Sequence, residues 1–406
     1  MTGPSFKNIR GGITAPQGFL AAGLHSGIKK QAAPDLALVV SAREGSIAGV
    51  FTTNRVVAAP VVLDRAHLRG GIGRAIVVNS GNANACTGAR GLADAKEMAR
   101  LVAGHLGTTT NRVFVGSTGV IGQPLPMARI REGIPAAVKR LRRGGGREAA
   151  RAIMTTDLTV KEVAVTARIA GHRITVGGMA KGSGMIHPDM ATMLAYLTTD
   201  AAIAPPTLQQ ALVSAVAPSF NSISVDGDTS TNDTVLCLAN GLAENPLLKT
   251  GSRELAAFQE LLSHACHSLA MHICRDGEGV TKVVRLLVTR ARTQAEAKQV
   301  AKTIATSSLV KTALFGEDAN WGRIMAAIGR SGVPIAPQKI GLAFEGIPIV
   351  RNGVGLGPSA ERRIDRVVRR KEFTITVDLG QGSHCAWLWT TDLSYDYVKI
   401  NASYRS

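Results

Sequence analysis

Apolar and polar positions alternate in short runs through the first ninety residues, separated by glycine-rich turns. Residues 36–41, 49–52 and 74–79 read as strands. Residues 92–106 repeat their apolar positions at helical spacing and predict an amphipathic helix. Residues 112–116 return to the strand pattern, and 129–143 predict a helix stopped by three glycines. Residues 162–176 alternate around Ala170-Gly171-His172, which predicts a hairpin. Further along, helices are predicted over 206–217, 253–275 and 293–306. Strands are predicted over 234–239, 340–344, 373–378, 385–390 and 398–401. Hairpins outnumber regular strand–helix–strand units, which favours an α+β fold over a doubly wound parallel sheet. No solenoid-period repeat and no low-complexity linker divides the chain.

The chain has 406 residues, enough for a sizeable core without metal or disulfide staples. It is 45% hydrophobic but only 4% aromatic, so Ala, Val, Leu and Ile must fill that core. No stretch approaches the roughly 18 apolar residues a membrane helix needs, and the first residues carry no secretory pattern. The expectation is a cytoplasmic protein with no membrane contact. Five scattered cysteines, with no CxxC pair, are expected to be buried free thiols.

The formal charge is +18. It is uneven: residues 1–191 hold 25 Lys+Arg against 10 Asp+Glu, and residues 192–406 hold 22 against 19. The densest basic run is 139–147 (KRLRRGGGR). No nucleic-acid-binding signature accompanies it, and aromatic platforms are few, so it reads as a solvated helix end and loop. A basic nucleic-acid-binding protein is the weakest alternative. Residues 177–184 (GGMAKGSG) lack P-loop spacing. His264, His267 and His272 lack an HExxH pattern, and Asp226-Gly227-Asp228 fails the EF-hand register. No metal and no bound cofactor are expected.

Chemistry concentrates in residues 179–194, MAKGSGMIHPDMATML, a glycine-rich loop running into an apolar strand. A threonine hydroxyl is a weak nucleophile unless a base adjoins it, and a chain-terminal threonine carries its own base in its α-amine. That amine has a reference pKa of about 7.7–8.0 and is partly neutral at working pH. Inside a longer chain such a threonine requires self-cleavage. Thr192 Oγ would attack the Ala191 carbonyl, the acyl group would shift from N to O, and water would free the amine. At this point two readings stand: a self-cleaving nucleophile, or a glycine-rich turn without chemistry.

The segment resembles the self-cleavage motif of the ornithine acetyltransferase (glutamate N-acetyltransferase) family of arginine biosynthesis. So, in order, do 77–88 (VVNSGNANACTG), 115–122 (VGSTGVIG), 153–157 (IMTTD), 221–235 (NSISVDGDTSTNDTV), 276–279 (DGEG), 311–324 (KTALFGEDANWGRI) and 401–406 (NASYRS). The resemblance covers essentially the whole chain. It implies an α+β fold of stacked β-sheets flanked by helices, like N-terminal-nucleophile enzymes but with its own connectivity. It implies cleavage between Ala191 and Thr192 into an alpha chain (1–191) and a beta chain (192–406), interwoven and assembled as α2β2.

By the same resemblance, Thr192 takes acetyl from N-acetylornithine and passes it to glutamate. Thr118 and Gly119 form the oxyanion pair, and Thr155, Lys181, Thr192, Glu278, Asn401 and Ser406 contact substrate. Lys181 suits an α-carboxylate and Glu278 a cationic amine. The resemblance also admits acetyl-CoA as a second donor. Two departures stand out: Ser406 replaces the family's usual terminal Thr, and Asp189 stands where Asn is common. The alternatives are an N-terminal-nucleophile amidase or peptidase, with water as acceptor, and a secondary-metabolism acyltransferase of the same family.

Overall fold

A computed structural model describes residues 6–187 and 193–403. Asp189, Ala191, Thr192 and Ser406 lie outside the described residues. Strands β1 (Phe6–Asn8), β2 (Phe19–Leu24), β3 (Leu36–Phe51), β4 (Ile72–Asn82), β5 (Val113–Val120), β6 (Lys161–Ile169), β7 (His172–Lys181) and β8 (Leu194–Thr199) come first. They are followed by β9 (Ile223–Ser224), β10 (Thr234–Ala239), β11 (Val283–Ala291), β12 (Gly341–Phe344), β13 (Ile347–Arg351), β14 (Val354–Gly355), β15 (Glu372–Asp378) and β16 (His384–Thr391). The helices are α1 (Ala59–Leu68), α2 (Gly88–Leu106), α3 (Met127–Lys139), α4 (Gly146–Ala152), α5 (Pro205–Val216) and α6 (Arg253–Arg275). Five more follow: α7 (Gln294–Ala305), α8 (Ser308–Phe315), α9 (Trp321–Gly329), α10 (Pro358–Val368) and α11 (Tyr395–Ser403).

The strands form two sheets flanked by helices, a mixed α+β fold. The larger runs β1-β6-β7-β8-β10-β3-β4-β5, with β2 also on β3, and the smaller runs β14-β13-β12-β15-β11-β16-β9. The larger sheet takes seven strands from before residue 192 and two, β8 and β10, from after it. Those two stand in its middle. β8 and β10 pair in parallel over their full length, and both are wholly buried. In β10, Val235 and Cys237 face one core while Leu236 and Leu238 face another, which explains an apolar run without alternation.

This sheet folds over on itself. Three strands separate β5 from β8 along the sheet, roughly 19 Å at about 4.8 Å per strand. Yet a Cβ on Gly116 of β5 would stand 2.0 Å from the Tyr196 hydroxyl of β8. Ile76, Val78 and Phe114 share a core with Met179, Leu194 and Leu236. The bend lies in the 16-residue β3, whose register against β4 shifts between Val40 and Gly45. α6 covers the outer face of β6 and β7 with a continuous stripe that includes Phe258, Leu262, Leu269 and Ile273. Its first turn is capped by Ser252, whose hydroxyl accepts the Leu255 N–H at 3.1 Å.

Several expectations need correction. The strands expected at 36–41 and 49–52 are one strand, β3. The helix expected over 129–143 ends at Lys139, and the third glycine of its supposed breaker opens α4. Residues 398–401 are not a strand but part of α11. Four alternating residues are too few to set a period, and the Ser394 hydroxyl accepts the Tyr397 N–H at the helix start. Cys237, Cys266 and Cys274 are buried, but Cys86 and Cys385 are exposed. Cys86 sits in a turn at φ +57°, outside the β4 ladder. The 139–147 run is largely exposed at the end of α3 and the loop after it, as expected. Among the described residues no helix is long and apolar enough to cross a membrane.

Candidate active site

An open cleft lies where β5, β7, the segment before β10, the segment after α6, and α11 converge. Thr118, Gly119, Thr155, Lys181, Glu278 and Asn401 all line it. These six residues come from five separated stretches of chain, and all were singled out from the sequence.

Thr118 and Gly119 end the parallel pair β4–β5, where the register slips at Gly81 and Asn82. Gly119 has φ +131°, and a Cβ there would stand 2.3 Å from the Gly81 carbonyl carbon. Only glycine suits that position. The 77–88 segment shapes this end through side-chain amides. Asn79 accepts the Ser117 hydroxyl at 2.6 Å and donates to the Asn82 carbonyl at 2.9 Å. Asn84, at φ +48°, donates to the Gly91 carbonyl at 2.9 Å. Asn232 closes the assembly from the other side, donating to the carbonyls of Ala83 at 2.6 Å and Ser117 at 2.9 Å.

Lys181 is the last residue of β7, not part of a loop, and is only 3% exposed. Burial lowers its pKa; Asp157 opposes this, Lys161 adds to it, and Glu278 and Asp233 oppose it. Beneath it, Asp157 accepts the Thr155 N–H at 3.0 Å, the Gly182 N–H at 2.7 Å and the Lys161 ammonium at 2.6 Å. Burial works to raise the Asp157 carboxyl, but the Lys181 and Lys161 ammoniums and the Gly182 N–H outweigh it and hold it at about 2. Lys161 also reaches Asp276, which takes the N–H groups of Leu158 and Thr159 at 3.1 Å each. One buried ion cluster thus joins the Thr155 loop, the end of β7 and the turn that carries Glu278.

Glu278 follows α6, its N–H donating to the Ser183 carbonyl at 3.0 Å. Its Oε2 accepts the Asn401 amide at 2.8 Å, which ties α11 across the cleft. α11 buries none of its residues, so polar contacts hold it. Asp226 supplies another of them. Its carboxyl accepts the N–H groups of Met185 and Ile186 and the Tyr397 hydroxyl, linking α11 to the loop after β7. Burial pushes Asp226 up to about 6, although the N–H donors of Met185, Asp228 and Ile186 pull it down.

A carboxyl raised in the folded state contributes stability that is complete below its unfolded pKa near 3.9 and lost as pH rises through 6. Relative to Asp226→Asn, the wild type should therefore lose roughly 2 kcal/mol between pH 4 and pH 7. Urea midpoints at both pH values measure it, and a constant difference would contradict this assignment.

Sequence reasoning passed over Asp157, Asn232 and Tyr397. The first two lie inside quoted motifs, so the residues were visible while their roles were not. Among the described residues no group of three or more His, Cys, Asp or Glu gathers to hold a metal.

The ArgJ family profile matches residues 20–406. The chain belongs to the ArgJ family. Members of ArgJ similar to this chain include the "Arginine biosynthesis bifunctional protein ArgJ" of Geobacter sulfurreducens. It is 51% identical over 390 residues, covering 96% of this chain and 99% of that one. The protein of the same name from Symbiobacterium thermophilum is 50% identical over 400 residues, covering 98% and 99%. Among solved structures, the Bacillus halodurans ArgJ protein is 44% identical. It covers 52% of this chain and 98% of its own, with a TM-score of 0.49. An ornithine acetyltransferase of Mycobacterium tuberculosis, solved with ornithine, is also 44% identical. It covers 45% and 98%, with a TM-score of 0.43.

Proposed function

We propose that this chain transfers an acetyl group from N-acetylornithine to glutamate through an acetyl ester on Thr192. The observation that carries this reading is the convergence of Thr118, Gly119, Thr155, Lys181, Glu278 and Asn401 on one cleft. Membership of ArgJ, and the arginine-biosynthesis names of its relatives, support the substrates.

The chain first cuts itself between Ala191 and Thr192, leaving residues 1–191 and 192–406 associated as an α2β2 assembly. Thr192 Oγ then attacks the acetyl carbonyl while its proton passes to the Thr192 α-amine. The oxyanion is met by the Thr118 hydroxyl and the Gly119 N–H, donors typically worth about 2.7–4 kcal/mol each. The C–N bond breaks, the α-ammonium returns the proton to the leaving nitrogen, and ornithine departs. The amine of glutamate attacks the ester by the reverse route. An amide is broken and an equivalent amide formed, so no ATP is consumed.

Lys181 holds the α-carboxylate shared by both amino acids, and Glu278, clasped by Asn401, faces the ornithine ammonium. Ser406 supplies a further substrate contact. The word "bifunctional" in the relatives' names supports acetyl-CoA as a second donor to the same ester. The reaction belongs in the cytoplasm with the rest of amino-acid synthesis.

Incubation with N-acetylornithine alone should leave the fragment beginning at Thr192 heavier by one acetyl group in its intact mass. Adding glutamate should remove that mass and yield N-acetylglutamate. Ornithine released equally fast with and without glutamate, and no N-acetylglutamate, would favour hydrolysis and sink the proposal.

A further inference from the structure

Asp233 is 0% exposed and stands at the entrance to β10, beside the start of β8. Its Oδ1 accepts the Met193 N–H at 3.0 Å. Its neighbour Thr234 donates its own N–H to the Met193 carbonyl at 3.1 Å. Its carbonyl accepts the Thr52 N–H at 2.9 Å, which anchors Asp233 to β3. Met193 is therefore gripped at both its donor and its acceptor. The parallel ladder begins one step later, at Thr234 and Leu194. The Met193 N–H lies just before that ladder, and the Asp233 side chain takes the place of a backbone acceptor.

We infer that Asp233 is a positioning residue for Thr192, acting through the Met193 N–H. This rests on the reading of Thr192 as nucleophile. The Met193 N–H belongs to the planar peptide unit whose carbonyl carbon is that of Thr192. Fixing the N–H fixes that plane, and the Thr192 Cα lies in it, 3.8 Å from the Met193 Cα by covalent geometry.

A carboxyl is an unusual choice for so buried a clamp, and its surroundings explain how it serves. Burial raises the Asp233 pKa well above the usual range, and the Met193 N–H, Thr52, Lys181 and the Ser230 N–H only partly offset this. That direction favours the neutral acid, whose Oδ1 still accepts the Met193 N–H. A negative charge beside the Thr192 α-amine would favour the ammonium and weaken the base. A neutral acid grips the backbone without that penalty. Among the described residues, the charged groups facing this region are Lys181 on β7 and, around Lys181, Asp157, Lys161 and Glu278.

Two substitutions separate this role from a merely structural one. Asp233→Asn keeps an acceptor for the Met193 N–H and stays neutral. It should self-cleave and transfer acetyl within about threefold of wild type, with an unchanged pH profile for kcat/KM. Asp233→Ala, or Asp233→Ser where the alanine variant is insoluble, removes the grip. It should slow both self-cleavage and kcat by about 10- to 100-fold, because small misplacements of reacting groups cost that much, while KM changes less than threefold. The inference is overturned if the truncated variant cleaves and turns over like wild type. It is equally overturned if Asp233→Asn is as slow as the truncation, or if its pH profile moves by more than half a unit. Thr192→Ala serves as the reference. Full activity in that variant would overturn the nucleophile assignment itself, whatever the Asp233 variants show.

Discussion

Thr192→Ala should yield one uncut chain and lower acetyl transfer by roughly 10,000-fold or more. Removing a nucleophile that also creates its own base removes both steps at once, and loss of a single nucleophile costs that much or more in enzymes whose groups act as a unit. On the proposed mechanism, loss of the hydroxyl means no attack on the Ala191 carbonyl, no free α-amine and no acyl-enzyme. Thr192→Ser keeps the hydroxyl and should still cut and turn over. Intact mass separates one chain from two, and N-acetylglutamate formation gives the rate. A Thr192→Ala protein that still splits at residue 191, or still transfers acetyl at a comparable rate, would remove the basis of the proposed mechanism.

The second large effect is structural. Lys161→Met should destabilise the fold by about 3–5 kcal/mol, the usual cost of stripping a partner from a buried ion cluster. Lys161 is 1% exposed and sits between Asp157 and Asp276. Its removal leaves the buried Asp157 and Asp276 carboxylates without the ammonium that bridges them. Adding Asp276→Asn restores one carboxylate to one ammonium and should recover part of the loss, a coupling that a double-mutant cycle measures. Because the cluster also anchors the Thr155 loop and the Glu278 turn, the single variant should raise KM as well. Denaturant midpoints for the two singles and the double test this, and strictly additive effects would contradict a shared cluster.

Much of this architecture was legible in residue pattern alone. The hairpin of β6 and β7 followed from alternation around Ala170 and Gly171, both of which have positive φ, as a two-residue turn requires. α6 followed from its apolar stripe over the whole of Arg253–Arg275. What stayed hidden depends on contacts distant in sequence. The glycines around Lys181 suggested a loop, yet Gly177 and Gly178 lie in mid-strand. A Cβ on Gly177 would stand 2.2 Å from the Gly12 carbonyl, so close packing and not flexibility selects glycine there. The pairing of Lys161 with both Asp157 and Asp276 spans 115 residues in its longer arm and leaves no local signature. The motifs flagged the cleft residues Thr118, Lys181 and Glu278, but nothing in their spacing could show that Asn401 would clasp one of them.

The two strands from beyond residue 192 stand in the middle of the larger sheet, with β7 on one side and β3 on the other. A polypeptide stopping at 191 would therefore lack its central rungs and present two open β edges, invitations to aggregation. On the proposed cleavage at residue 191, scission has to come late, in a molecule whose architecture is already complete. Such a cut would release no piece, because β8 and β10 of the later fragment are laced between strands of the earlier one.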